Sequence, residues 1–181
     1  MRITSGILKN RTLNTLDVDF RPTMESVREA IFSSLGGSCN QKKFLDLYAG
    51  SGAVGLEAWS RGASQIYLIE KNKELADQLS KIVIRFNQDQ LGEIKVENMD
   101  VIDWLKKTTY KFDIVFADPP YNLIDDFKII LDAIYDSSIL TPESILVYEL
   151  RNKEKIIIDK KWDIVREKRY GKTKILFLKK A

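Results

Sequence analysis

The chain has 181 residues, 44% of them hydrophobic and 30% charged, with a net charge of +3, one cysteine and no histidine. That length suits one domain with a substantial core; no apolar run approaches the ~20 residues of a membrane span, and Met1-Arg2-Ile3-Thr4-Ser5-Gly6 lacks a signal peptide's apolar core. A lone Cys39 excludes a disulfide framework, and the missing imidazoles exclude His-based acid–base catalysis and most zinc sites, so no metal is expected and the cytoplasm is the expected compartment.

Residues 1–20 read as a basic extension with room for a small hairpin: the first twelve positions hold Arg2, Lys9 and Arg11 and no acid. Arg21-Pro22-Thr23 precedes a helix with Val27, Ile31 and Leu35 on one face, and Thr23 can serve as its N-cap. From Lys43 onward apolar runs alternate with helical periodicity. Phe44–Tyr48 is a buried strand, followed by a glycine-rich turn and a helix to about Ser60. Gln65–Ile69 is the next strand, and Asn72 caps a helix with the stripe Leu75, Leu79, Ile82 and Phe86. Ile94–Val96 and Phe112–Ala117 are strands on either side of a short helix, Val101–Leu105. Phe127, Ile130, Leu131 and Ile134 mark a further helix, and Ile145–Leu150 another strand. Trp162–Glu167 and Thr173–Leu178 close the chain as a hairpin around Tyr170-Gly171. The alternation predicts a mostly parallel, doubly wound α/β sheet with an antiparallel hairpin at one edge, because helical crossovers join parallel strands. On such sheets ligands bind beyond the carboxyl ends of the strands, where strand order reverses. The basic start has a counterpart at the other end. From Arg151 to Ala181 twelve Lys/Arg stand against four Asp/Glu, which points to a polyanionic partner.

Gly50-Ser51-Gly52-Ala53-Val54-Gly55 matches the G-x-G-x-x-G fingerprint between strand and helix. By itself that pattern also suits nicotinamide and flavin dinucleotides. Asp46, four positions earlier, decides between them. A dinucleotide brings a negative pyrophosphate to this turn, whereas S-adenosylmethionine brings an ammonium and a sulfonium that a carboxylate favours. Glu70, twenty residues after Gly50, stands where an acid accepts ribose hydroxyls, or is a surface residue at a helix start. Asp100 can accept from the adenine amino group and can also cap the helix that follows. Asp46 has a plainer alternative too, satisfying backbone donors of the turn.

Directly after Phe112–Ala117 comes Asp118-Pro119-Pro120-Tyr121. A nucleobase amine is a weak nucleophile because its lone pair is delocalised into the ring. Two acceptors on its hydrogens, the Asp118 carboxylate and the Pro119 carbonyl, favour the pyramidal form that frees the pair. Consecutive prolines fix φ and bring no competing N–H groups, and Tyr121 can stack on a base turned out of its helix. Asp-Pro is also ordinary turn chemistry, so the reading depends on its neighbours.

Asp46-Leu47-Tyr48-Ala49-Gly50-Ser51-Gly52 with Glu70, Asp100 and Asp118-Pro119-Pro120-Tyr121 resembles a class I methyltransferase acting on nucleobase amines. Met1–Gly6, the run from Arg21-Pro22-Thr23 through Val27-Arg28-Glu29 and Phe32, and Tyr170-Gly171-Lys172-Thr173 resemble more narrowly the RsmD family, bacterial methyltransferases for N2 of one guanine in small-subunit (16S) ribosomal RNA. The resemblance spans essentially the whole chain and implies one methyltransferase domain over 1–181. It implies S-adenosylmethionine as cofactor, held by Asp46, Tyr48, Gly50, Ser51, Gly52, Glu70 and Asp100. Arg21 would pair with the cofactor carboxylate, and the turn through Thr23 would close over it. Asp118, Pro119, Pro120 and Tyr121 would hold the amine, and Lys9, Arg11, Arg169 and Lys172 would meet RNA phosphates. Lys172 departs from the acidic residue that family members often carry. The implied partner is 16S ribosomal RNA within a small subunit or its precursor, met by a monomer. The rival readings are a DNA adenine-N6 methyltransferase, which has the same amine motif but normally extra segments for reading its target, and a non-catalytic RNA-binding module of the same fold.

Overall fold

The computed structural model describes residues 1–13, 24–88, 90–120, 127–153 and 156–181. Among these residues twelve elements follow one another: α1 (Glu25–Ser34), β1 (Lys43–Leu47), α2 (Ala53–Ser60), β2 (Gln65–Glu70), α3 (Lys73–Phe86), β3 (Glu93–Asn98), α4 (Val101–Lys107), β4 (Phe112–Ala117), α5 (Phe127–Asp136), β5 (Leu140–Arg151), β6 (Trp162–Tyr170) and β7 (Thr173–Lys180). The seven strands form one sheet in the order β3-β2-β1-β4-β5-β7-β6. β1 to β5 are parallel to one another, whereas β7 runs antiparallel between β5 and β6. The order reverses between β1 and β4, which makes the gap above those two strands the switch point.

Strand alternation sorts the core into two layers. Phe44, Ile66, Leu68, Ile114, Phe116, Val147, Ile175 and Phe177 pack with residues of α1, α2 and α3. Leu45, Leu47, Tyr67, Ile69, Val115, Ala117, Tyr148, Leu150 and Leu176 pack on the other face with α4 and α5. The three tryptophans are structural filling: all are buried, and Trp104 joins Tyr67 and Phe112 in an aromatic cluster. Among the described residues no helix is long and apolar enough to cross a membrane.

Helix and strand ends follow local chemistry. The Asn72 Oδ1 accepts the Glu74 and Leu75 N–H groups at 2.9 and 3.2 Å, the expected cap of α3. α1 has Met24 at its N-cap position, which makes no side-chain cap bond; Thr23, the expected cap, lies outside the described residues. β5 begins five residues before its apolar run. Leu140 pairs with Phe112, after which the register shifts. Pro142 cannot donate to a ladder, and the Ser144 hydroxyl fills the irregularity by donating to the Phe112 carbonyl at 2.6 Å and accepting the Thr141 N–H at 2.8 Å. β6, the outer strand of the hairpin, is mostly exposed, and a second register shift interrupts it between Ile164 and Arg166. The shift and its charged side chains discourage pairing with another chain.

The first thirteen residues form a short loop closed by an antiparallel bridge between Arg2 and Thr12. It is fastened to the helical layer by three fully buried apolar side chains, Ile3, Leu8 and Leu13. Burying each contributes ~1.5–3 kcal/mol. Beneath it lies a polar network. The Glu57 carboxylate, completely buried in the otherwise apolar α2, accepts the Thr4 N–H at 2.8 Å and the Thr4 hydroxyl at 2.6 Å, and pairs with Arg61 at 2.9 Å. Arg61 also donates to the Gly37 carbonyl and lies over the Phe32 ring. The Ser60 hydroxyl donates to the Ser5 carbonyl and accepts the Leu8 N–H. Gly6, at φ +83°, lies so close that a Cβ there would fall 1.8 Å from the Ser60 carbonyl oxygen. The opening hexapeptide is therefore a docking segment for the C-terminal half of α2.

Candidate cofactor and acceptor site

The register brings the sequence motifs to one edge. Leu47 pairs with Ile69 and with Ala117, and Ala117 with Tyr148. Tyr48, Glu70 and Asp118, each the next residue in its chain, therefore leave the sheet at the same level, on either side of the switch point. Asp100 follows β3 two residues beyond Asn98, the partner of Glu70.

The turn between β1 and α2 is tight. Tyr48, Gly50 and Gly52 all take positive φ, at 65°, 54° and 73°. Only glycine does so freely, so Tyr48 is held in a strained conformation at the mouth of the crevice, half-buried. Gly55 lies inside α2 where a Cβ would meet Leu68 at 2.1 Å and the Asp46 carboxylate at 3.1 Å. Ser51 is buried beside it.

Asp46 lies under this turn, 1% exposed. Its Oδ2 accepts the Gly55 N–H at 2.8 Å, the plainer of its two sequence readings. Its Oδ1 has no hydrogen-bond partner among the described residues. Burial pushes its pKa up to about 8, against the lowering effect of the Gly55 bond, and nearby Glu70 pushes the same way. Glu70 is bound at both oxygens, accepting the Gly50 N–H on one and the Asn72 N–H on the other, each at 2.7 Å. It ties the glycine turn to the start of α3, and each oxygen keeps a further acceptor direction. Asp100 caps α4 by accepting the Ile102 N–H at 3.0 Å, and Lys71 lies 3.0 Å from its other oxygen. Lys71, above all, holds the Asp100 carboxyl below the usual range.

Asp118 and Pro119 are half-buried directly past β4, and Pro120 is exposed. Arg21, Thr23 and Tyr121 lie outside the described residues. The basic candidates divide. Thr173 pairs with both Arg151 and Tyr170, so Arg169 and the exposed Lys172 stand at the carboxyl edge, on the same side as Asp118. Arg169 is paired there with Glu167 at 2.7 Å. Lys9 belongs to the turn that leans on Ser60, where the Ile7 N–H donates to the Ser60 carbonyl. That is the far end of α2, roughly 12 Å down the helix axis from the glycine turn. Arg11, exposed on the same loop, pairs through its backbone with Ile3.

Sequence reasoning gave Glu57 no role and named Arg28 only within the run that carries the family resemblance. Arg28 is fully buried and donates to the Arg2 carbonyl at 2.7 Å. Its burial lowers the guanidinium pKa, opposed by the nearby Glu57 charge. One signal was legible: Glu57 is the only charge in the apolar run Ala53–Ser60, and Arg61 follows at i+4.

A seven-stranded sheet with β7 inserted antiparallel, a glycine turn after β1, an acid ending β2 and Asp-Pro-Pro after β4 defines a class I methyltransferase fold. A family model described as conserved hypothetical protein 95 matches residues 1–179, and the chain belongs to that family, the RsmD family. It is 31% identical over 178 residues to ribosomal RNA small subunit methyltransferase D of Haemophilus influenzae, covering 94% of this chain and 89% of that one. Similarity to the protein of the same name from Escherichia coli K12 is also 31%, over 94% and 85% of the two chains. The solved structure of yhhF from Escherichia coli superposes with a TM-score of 0.85 at 27% identity, covering 99% of this chain and 97% of that one.

Proposed function

We propose that this protein transfers a methyl group from S-adenosylmethionine to the exocyclic N2 amine of a guanine in 16S ribosomal RNA, acting as a cytoplasmic monomer on a small subunit or its precursor. The observation that carries this reading is the shared carboxyl edge of β1, β2 and β4, where the Asp46–Glu70 turn and Asp118-Pro119-Pro120 stand on either side of the switch point, in a chain whose relatives are named for ribosomal RNA methylation.

The cofactor fits the residues present. Asp46 keeps one buried oxygen beneath the turn without a partner among the described residues, an environment that favours a cation over a pyrophosphate. Tyr48, Gly50, Ser51 and Gly52 would form the wall, Glu70 would take the ribose hydroxyls and Asp100 would serve the adenine end; Arg21 and Thr23, outside the described residues, keep the role at the methionine end that the family resemblance implies. When bound, S-adenosylmethionine supplies a sulfonium-activated methyl group. Asp118 and the Pro119 carbonyl accept the two amine hydrogens and turn the nitrogen lone pair toward the crevice. Asp118 then stabilises the positive charge that develops on the nitrogen and holds the proton it sheds. Tyr121, outside the described residues, would stack on the base, as the family resemblance implies. Positioning of the donor and the amine by these residues would supply much of the acceleration.

Asp46 makes the reading dependent on pH. Its folded-state pKa of about 8 stands above the ordinary 3.8, so at intermediate pH the folded state binds the extra proton. Its contribution to the stability of the cofactor-free protein is complete below pH 4 and is lost as pH rises through 8. A cationic ligand favours the ionised carboxylate. Cofactor binding near pH 7 is therefore expected to release up to one proton and to tighten as pH rises toward 8. Titration calorimetry in buffers of different ionisation enthalpy measures that proton; its persistence in Asp46→Asn would remove Asp46 as the source.

Arg169 and Lys172 are the basic candidates at the site's edge. Neutralising both should weaken RNA binding and reduce the log–log salt slope by about 1–2 units, with Lys9→Ala at the far end of α2 as the contrasting variant. Equal losses from Lys9→Ala and the double variant would remove the preference for this edge. The function itself is tested by offering labelled methyl donor to small subunits from a deletion strain, free 16S ribosomal RNA and unmethylated duplex DNA. N2-methylguanine in the RNA is the expected product. N6-methyladenine in the DNA alone would select the DNA enzyme, and no transfer with intact RNA binding would select the non-catalytic module.

A further inference from the structure

One buried acid at the carboxyl edge has no part in the mechanism above. Glu149 lies near the end of β5 and is 5% exposed. Tyr148 pairs with Ala117, so Glu149 and Asp118 are the next residues on two adjacent parallel strands, with backbones about 5 Å apart. Their faces also agree. Tyr148 and Leu150 belong to the α4–α5 layer and Val147 to the α1–α2–α3 layer, so alternation puts Glu149 on the latter face. Phe116 lies in that layer and Ala117 in the other, so the same alternation carries position 118 there too. Asp46 is on this face through its bond to Gly55 of α2, and Glu70 through its place beside Leu68 and Ile69. Four carboxylates thus follow one another across this face in the order Glu70, Asp46, Asp118, Glu149, with Asp46, opposite Leu68 and Phe116, two residues below the level of the other three. The first two serve the turn and the third the amine. The fourth stands on the side of Asp118 away from the glycine turn.

We propose that Glu149 is the specificity residue of the acceptor site, accepting the N1–H of the target guanine beside the amine held by Asp118. This rests on the reading of the site as a guanine-N2 methyltransferase. The chemistry follows from the base edges. Guanine presents two adjacent donors, the N2 amine and N1–H, and a pair of neighbouring carboxylates matches both. Adenine presents its amine beside N1, which is an acceptor, and cytosine its amine beside N3, also an acceptor. A carboxylate facing either ring nitrogen opposes lone pair to lone pair, in a buried place where an unmade hydrogen bond is costly. Asp118-Pro119-Pro120-Tyr121 handles any such amine, so discrimination among bases has to come from a neighbour of Asp118.

The test uses the full-length protein and small subunits reconstituted on 16S ribosomal RNA, with either guanine or 2-aminopurine at the mapped acceptor position. 2-Aminopurine keeps the N2 amine but has an acceptor at N1. The wild-type protein is expected to prefer guanine by roughly 10–100-fold in kcat/KM, the scale of one well-placed base contact. Glu149→Gln, whose amide can donate to an N1 acceptor, is expected to bring the guanine/2-aminopurine ratio to within a few fold of unity. Equal loss on both substrates with the ratio kept would reduce Glu149 to a structural residue and overturn the inference. A wild-type ratio below about three would overturn it without any variant, even if Glu149→Gln failed to fold. N2-methylguanine formed with no preference sinks only the role of Glu149, whereas its absence from the wild-type reaction sinks the functional reading itself.

Discussion

Asp118→Ala is expected to abolish methyl transfer while leaving S-adenosylmethionine affinity within a few fold. Asp118 stands past β4, across the switch point from the glycine turn and Glu70, so its carboxylate serves the acceptor and not the cofactor. Loss of one such pre-placed charge costs roughly 10²–10³ in rate, and the alanine variant also removes one of the two acceptors that pyramidalise the amine. Asp118→Asn keeps an acceptor oxygen but loses the charge, and should be severely impaired as well. Single-turnover transfer of a labelled methyl group, with calorimetry of cofactor binding alongside, separates the two effects. Near wild-type turnover in Asp118→Ala would remove Asp118 from the chemistry.

Glu57→Ala should produce the largest loss of stability, about 3–5 kcal/mol, because it leaves charge buried without its partner. Arg61, with a side chain only 9% exposed, loses its ion pair, and the Thr4 N–H and hydroxyl lose their acceptor. Arg28, buried nearby, loses the negative charge that offsets its desolvation. For a chain of this size the change corresponds to a fall of roughly 6–20 °C in Tm. Glu57→Gln keeps an acceptor for Thr4 and should fall in between. Scanning calorimetry measures the series, and a Tm for Glu57→Ala within a degree or two of wild type would show that the network contributes little. The network fastens the docking segment to the half of α2 remote from Asp118, so folded Glu57→Ala at low temperature should keep its cofactor affinity.

Much of the scaffold was readable because its signals are local. Asn72 and Asp100 precede helices and cap them, and Phe112–Ala117 is an apolar run bounded by turn chemistry and is a strand over those same residues. β5 was only half readable. Thr141-Pro142-Glu143-Ser144 has no strand pattern, and its place in the ladder depends on Ser144 reaching the Phe112 carbonyl thirty-two positions away. The opening residues were readable as basic and not as buried, since Ile3, Leu8 and Leu13 have neither strand nor helix spacing. They are buried because α2 anchors the backbone of the loop that carries them, through Glu57 at the Thr4 N–H and Ser60 at the Leu8 N–H.

By itself the sequence determined the order of strands and helices, the glycine turn with its acids, and the family, because periodicity, capping and short motifs are properties of neighbouring residues. Only the tertiary structure decided that Asp46 is a buried support of the turn with one oxygen to spare, that Lys9 and Lys172 stand at opposite ends of the sheet, and that Glu149 comes level with Asp118. Those relations are set by strand register and helix direction across dozens of residues, where a shift of one position turns every side chain to the other face.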